Sequence, residues 1–236
     1  MEAVLPFLII GGVVSLIVGG IILAFYMKKK RREAFAALAT QFGLQYSPED
    51  PYGLPNSYDF NLFSMGEGRG AENVLTGKWK EMDVIAADYW YYTTSTDSKG
   101  NRTRSYSYFT VVVVPIVGFF PKVSIGSENL FTRLADHIGL EDINFESEEF
   151  NRRYNIKSKH REFAFQLIDA RMIEWFLGQE KGYSIETSGP AFLVYTRRRK
   201  PFEIPPVIAQ AAAFREQIPR LVWEEYGTKE SPEATA

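Results

Sequence analysis

The apolar and polar positions divide the chain into three regimes. Ala3 to Met27 carries no charged side chain, and about 20 apolar residues suffice to cross a bilayer's hydrocarbon core. This run predicts a single membrane span at residues 1–27. Beyond it the apolar positions fall at three- and four-residue spacing: Phe35, Leu38, Ala39 and Phe42 share one helical face before Gly43 stops the helix. Residues 28–46 therefore read as a basic juxtamembrane helix leading out of the bilayer to dock on a domain at 47–226. Residues 227–236 read as a disordered tail.

Inside the domain the period changes to two. SPEDPYGLPNS, Ser47 to Ser57, reads as a loop for its three prolines and glycine. YDFNLF, NVLTGKW, DVIAADYWYY and SYFTVVVVPI then read as strands, forming an antiparallel meander over Asp59 to Ile116. TTSTDSKGNRTRS, centred on Lys99-Gly100-Asn101, supplies a hairpin loop. Helical spacing returns in SENLFTRLADHIGL, with Ser127 as N-cap, and in EFAFQLIDARMIEWFLG. FNRRYNIKS reads as a strand. YSIETS and AFLVYTRR read as two strands joined through Gly189-Pro190. PPVIAQAAAFREQI closes the pattern as a helix with prolines in its first turn and Pro219 at its end. The expected fold is α+β, one N-terminal transmembrane helix followed by an antiparallel β-meander with helices.

Charge refines the placement of the span. Lys28, Lys29, Lys30, Arg31 and Arg32 follow the apolar run, and only Glu2 precedes it. A cleaved signal peptide has the opposite order. Basic flanks stay on the cytoplasmic side, which predicts a single-pass plasma-membrane protein with its large C-terminal part in the cytoplasm. The same five residues are also suited to anionic headgroups. Within the span, Gly11, Ser15 and Gly19 recur every four residues, the spacing that lets two helices approach, so self-association is one reading. The chain has 27 basic against 29 acidic residues, a balance unlike that of a nucleic-acid binder. It has no cysteine, which removes disulfides, thiolate metal sites and thiol nucleophiles.

Candidate chemistry is sparse. GEGRG, Gly66 to Gly70, is followed by a strand instead of a helix, so it reads as a hairpin turn and not as a phosphate loop. His137 and His160 lie on separate elements without ligand partners at helical spacing, and Asp97, Gly100 and Asn101 only faintly resemble a calcium loop. No nucleophile motif occurs. No catalytic residue, metal ligand or cofactor is assigned. Trp90, Tyr92, Tyr106 and Tyr108 form the one candidate binding surface, against the alternative that they brace the sheet as cross-strand pairs. TRRRK, Thr196 to Lys200, is a second basic cluster that suits a membrane surface, phosphate groups or a solvated strand end.

FESEEFNRRYNI, Phe145 to Ile156, gathers acids and arginines as an active site would, yet a strand over Glu149 to Lys157 puts Phe150, Tyr154 and Ile156 on one face. Arg152 then pairs with a preceding glutamate as a structural ion pair. This segment resembles an uncharacterised bacterial family of membrane-anchored proteins with a C-terminal domain of unknown function. Glu149, Phe150, Tyr154, Ile156, Ser158, Ala164, Leu167, Met172 and Glu174 stand at the matching positions, as does the N-V-L-x-G-x-W of Asn73 to Trp79. The resemblance implies the anchored organisation and brings no activity. The functional expectation is a membrane-anchored interaction or scaffold protein with an unidentified protein partner. The alternatives are a ligand- or lipid-sensing binding protein and, third, a hydrolase.

Overall fold

A computed structural model describes residues 4–127, 141–179 and 182–227, with side chains from residue 12 onward. The fold is α+β: one long apolar helix, then an antiparallel sheet with helices. Helix α1, Val4–Phe42, is unbroken through the basic run. Its described part is long and apolar enough to cross a membrane. Its last turns belong to the domain, because Phe35, Leu38 and Ala39 are buried in the main core. Gly43, at φ 67°, ends it as the sequence predicts.

Among the described residues the sheet has seven strands: β1 Gln45–Glu49, β2 Gly68–Trp79, β3 Met82–Thr96, β4 Arg102–Ser127, β5 Glu141–Ile143, β6 Tyr154–Ser158 and β7 Ser184–Arg197. The order β1-β2-β3-β4-β6-β5 is antiparallel throughout, and β7 pairs with the other edge of β4. At 26 residues β4 is the spine of the domain, pairing first with β3 and then with β6 along one side. The Val111–Val114 run explains its central place, since all four valines are fully buried and successive side chains fill opposite faces.

One face holds the main core. It packs against the end of α1 and against α4 Glu148–Arg153, α5 Arg161–Leu167, α6 Ala170–Gly178, α7 Ile204–Gln217 and α8 Arg220–Tyr226. The other face holds a smaller core in which Tyr89, Val111, Leu193 and Tyr195 are covered by α2 Leu54–Ser57 and α3 Asn61–Ser64.

Several local expectations are corrected. YDFNLF contains a helical turn instead of a strand, because the Glu186 carboxylate accepts hydrogen bonds from the Asn61 and Leu62 backbone N–H groups. The predicted loop at Ser47 begins inside β1 and contains α2. FNRRYNIKS is the end of α4 followed by β6; Ser147 caps α4 by accepting from the Phe150 N–H. Its ion pair is Arg153 with Glu149 at 3.9 Å, while Arg152 is exposed. Arg153 also donates to the Leu177 and Gln179 carbonyls. EFAFQLIDARMIEWFLG divides into α5 and α6, because Asp169 accepts from the Met172 N–H and starts a new helix. Gly189 does not end a strand, and β7 runs through it. The helix predicted over Ser127 to Leu140, with His137, lies outside the described residues, except that Ser127 ends β4.

Candidate functional site at the helix–sheet junction

The site grows from one face of the β3–β4 hairpin. Alternation puts Val84, Ala86, Asp88, Trp90 and Tyr92 of β3 on the side that α1 covers. Register sets Thr110, Tyr108 and Tyr106 of β4 opposite Asp88, Trp90 and Tyr92. This face therefore passes from apolar core, through a buried acid, to an aromatic ladder.

The acid is met by α1. Asp88 is 2% exposed. It accepts two hydrogen bonds from the Arg31 guanidinium, from Nε at 2.6 Å and Nη2 at 2.5 Å. This bidentate, charge-assisted geometry is the strongest pairing available to a carboxylate. Asn73 Nδ2 and Arg198 Nη2 also donate to Asp88, at 2.9 and 3.3 Å. Arg31 reaches the Arg199 carbonyl at 2.8 Å and lies over the Phe35 ring. Asn73 is held at φ 54° beside a register shift in β2, and its Oδ1 accepts from the Tyr46 hydroxyl. That bulge turns its amide toward the acid, a role its backbone strain supports.

The other basic residues divide. Lys28 pairs with Glu72 at 3.1 Å, and Arg198 approaches the same carboxylate at 3.8 Å. Lys29 turns outward to Glu33. Arg32 is half-buried, and its charge opposes the upward pull that burial exerts on the Tyr46 hydroxyl. Lys30 has no ion pair among the described residues. The run is thus partly a docking element, its ion pairs adding to the apolar contacts of the same helix.

Beyond Asp88 lies the ladder. Trp90 stacks on Tyr92 and Tyr106 on Tyr108, while Arg104 lies over Tyr92 and Arg198 over Tyr108. Tyr106 and Tyr108 are 48% and 44% exposed. These rings brace the hairpin, and Tyr106 and Tyr108 leave part of an aromatic face exposed. GEGRG is corrected here. Gly68 and Gly70 sit in β2 opposite Tyr92 and Trp90, where an added Cβ would stand 2.3 and 2.9 Å from the rings. The glycines are seats for the aromatic side chains.

Contacts along α1 fix its direction against the sheet. Phe42 packs on Trp79, Phe35 near Tyr46, Arg31 on Asp88, and Lys28 on Glu72. Followed toward its apolar N-terminal half, α1 thus runs in the same sense as β3 does toward the aromatic ladder. Beside α1 lies a cleft of about 930 Å³, with Ala24, Met27 and Lys30 on the helix side and Tyr108, Lys200 and Phe202 opposite. Phe202 is 69% exposed. Arg31, held by Asp88, and Asn73 also line the cleft.

Of the small-residue repeat, Ser15 and Gly19 lie on exposed helix surface. Among the described residues no three His, Cys, Asp or Glu side chains are grouped to hold a metal ion. His160 is exposed at the start of α5, its backbone N–H donating to Ser158. The sequence reading missed Asp88 as an anchor; an acid inside the otherwise apolar strand VIAADYWY was its signal. Glu186, buried in β7 on the opposite face, was missed as well.

No family model matches the chain, and no curated protein matches it. Among solved structures it is similar to the crystal structure of the mycobacterial trehalose monomycolate transport factor A, TtfA. The TM-score is 0.57 at 15% identity, over 81% of this chain and 96% of that one. At that identity the likeness is one of fold.

Proposed function

We propose that the chain is a single-pass plasma-membrane protein whose cytoplasmic domain serves as an interaction platform in lipid handling, held in one fixed pose over the bilayer. The observation that carries this reading is the rigid junction. A tether that only localised a domain would need no structure, yet here the apolar helix continues into the core and is clamped by Arg31 on buried Asp88. A fixed pose is useful when the partner also lies in the membrane. The KKKRR run supports the cytoplasmic placement, since topology is set before Lys28 and Arg31 find their partners in the folded domain. The fold shared with a protein described as a trehalose monomycolate transport factor supports the link to lipid transport. The likeness of segment 149–174 to membrane-anchored bacterial proteins points the same way.

Complementation tests the reading. In cells lacking the chain, the distribution of envelope lipids is compared after return of the wild-type chain, of a chain with a flexible Gly-Ser insertion after Met27, and of a chain without residues 1–27. The wild type alone is expected to restore it. Full restoration by the flexible or anchor-free chain overturns the proposal.

A further inference from the structure

We propose that the cleft between α1 and the aromatic ladder seats an anionic phospholipid drawn from the bilayer that α1 crosses. This rests on the reading of α1 as a membrane span, and it names the ligand of the junction.

The cleft joins two chemistries. Its helix wall is the last turn of the uncharged run, Ala24 and Met27, and its far wall exposes Phe202 and Tyr108. Apolar side chains at the end of a membrane helix meet acyl chains, while tyrosines suit the headgroup level. Around these walls stand Lys28, Lys30, Arg198 and Lys200. Glu72 is the one acid on the lining, already engaged by Lys28 and Arg198. Lys30 and Lys200 make no ion pair among the described residues, although the Lys200 ammonium lies over the Phe202 ring. The lining therefore holds a surplus of positive charge beside apolar surface, the complement of a phosphate-bearing amphiphile.

Position favours a lipid over a free phosphate. A small anion needs only the cations, whereas this cleft has apolar walls and a volume of about 930 Å³, within the range of pockets that enclose ligands of several hundred daltons. The hairpin extends the arrangement, because β3 from Asp88 to Tyr92 runs in the sense of α1 followed toward its apolar N-terminal half, and Tyr108 of the ladder lines the cleft. Arg104, stacked on Tyr92, continues the positive charge along that face. Trp90, Tyr92, Tyr106 and Tyr108 then form an interfacial aromatic belt beside the seat.

The test uses the full chain, reconstituted in phosphatidylcholine vesicles with or without phosphatidylglycerol, transferred gently to detergent and weighed by native mass spectrometry. Wild type is expected to retain phosphatidylglycerol in preference to phosphatidylcholine. Each lysine near a lipid surface contributes roughly fivefold, so Lys30→Ala with Lys200→Ala lowers that retention about 30-fold. Phe202→Ala lowers retention of the same lipid without changing any charge. Lys29→Ala, which removes a charge facing away from the cleft, leaves retention unchanged. Equal retention of both lipids overturns the seat, as does an equal loss with Lys29→Ala. Displacement by inorganic phosphate overturns the choice of a lipid. Because retention is read on the isolated protein, its failure is distinct from a failed complementation, which concerns the platform in cells.

Discussion

Among the described residues each face of the sheet buries one acid, and the two are satisfied differently. Asp88, on the α1 face, meets two guanidinium groups and an amide. Glu186, on the opposite face, accepts from the Asn61 and Leu62 N–H groups at 2.5 and 3.2 Å. Asn61 is fixed in turn by its bond to Ser124 Oγ, and Lys122 adds a distant charge. Burial dominates at Glu186 and lifts its carboxyl to about 7, although the two backbone N–H bonds pull the other way. The comparison separates two uses of a buried carboxylate. One clamps an incoming helix through opposite charge; the other organises a loop through dipoles and stays near neutrality in its protonation.

The largest expected effect breaks the first of these. Asp88→Ala leaves Arg31 and Arg198 facing an apolar side chain, and loss of one partner of a buried pair costs about 3–5 kcal/mol. Thermal melting of the full chain in detergent checks it, with a drop below about 1 kcal/mol counting against a clamp. Glu186→Gln sharpens the contrast through pH. The carboxyl stands near 7 in the folded protein against an ordinary 4.5. Between those values the folded protein holds a proton that the unfolded chain has released. Stability is therefore full below the ordinary value and is lost as pH rises through the folded one, by roughly 3 kcal/mol in all. Melting profiles across that window should slope downward for wild type and lie flat for Glu186→Gln, whatever their offset; an unchanged slope removes Glu186 as the cause. The smallest effect is Arg198→Ala. This side chain is 31% exposed and only the second cation on Asp88, so it costs about 1 kcal/mol or less. An effect as large as that of Arg31→Ala would mean that the clamp belongs to the strand end and not to α1.

The elements with one unambiguous period were legible in sequence: the apolar run, the β3–β4 hairpin and α7. What failed was decided by distant partners. Nothing near YDFNLF announces that Glu186, 125 positions away from Asn61, will cap it as a helix. FNRRYNIKS gave the right buried residues, Phe150, Tyr154 and Ile156, in the wrong backbone, because Ser147 was not read as a cap. Asp169 was an equally local signal, an N-cap inside a continuous apolar stripe. The junction was half visible. Its aromatic residues and its basic run stood out separately. Asp88, which joins them, lies 57 positions from Arg31, beyond any spacing rule.

The unbroken helix has a mechanical consequence. At 1.5 Å per residue, 39 residues make a shaft of about 58 Å. Its C-terminal end is bolted to the sheet. A span longer than its bilayer is thick leans over, and one that matches stands upright. With no hinge between shaft and sheet, each degree by which the shaft leans is, on the proposed reading of α1 as a membrane span, a degree of rotation of the whole domain. On that reading the thickness of the bilayer becomes an angle presented to whatever the domain meets.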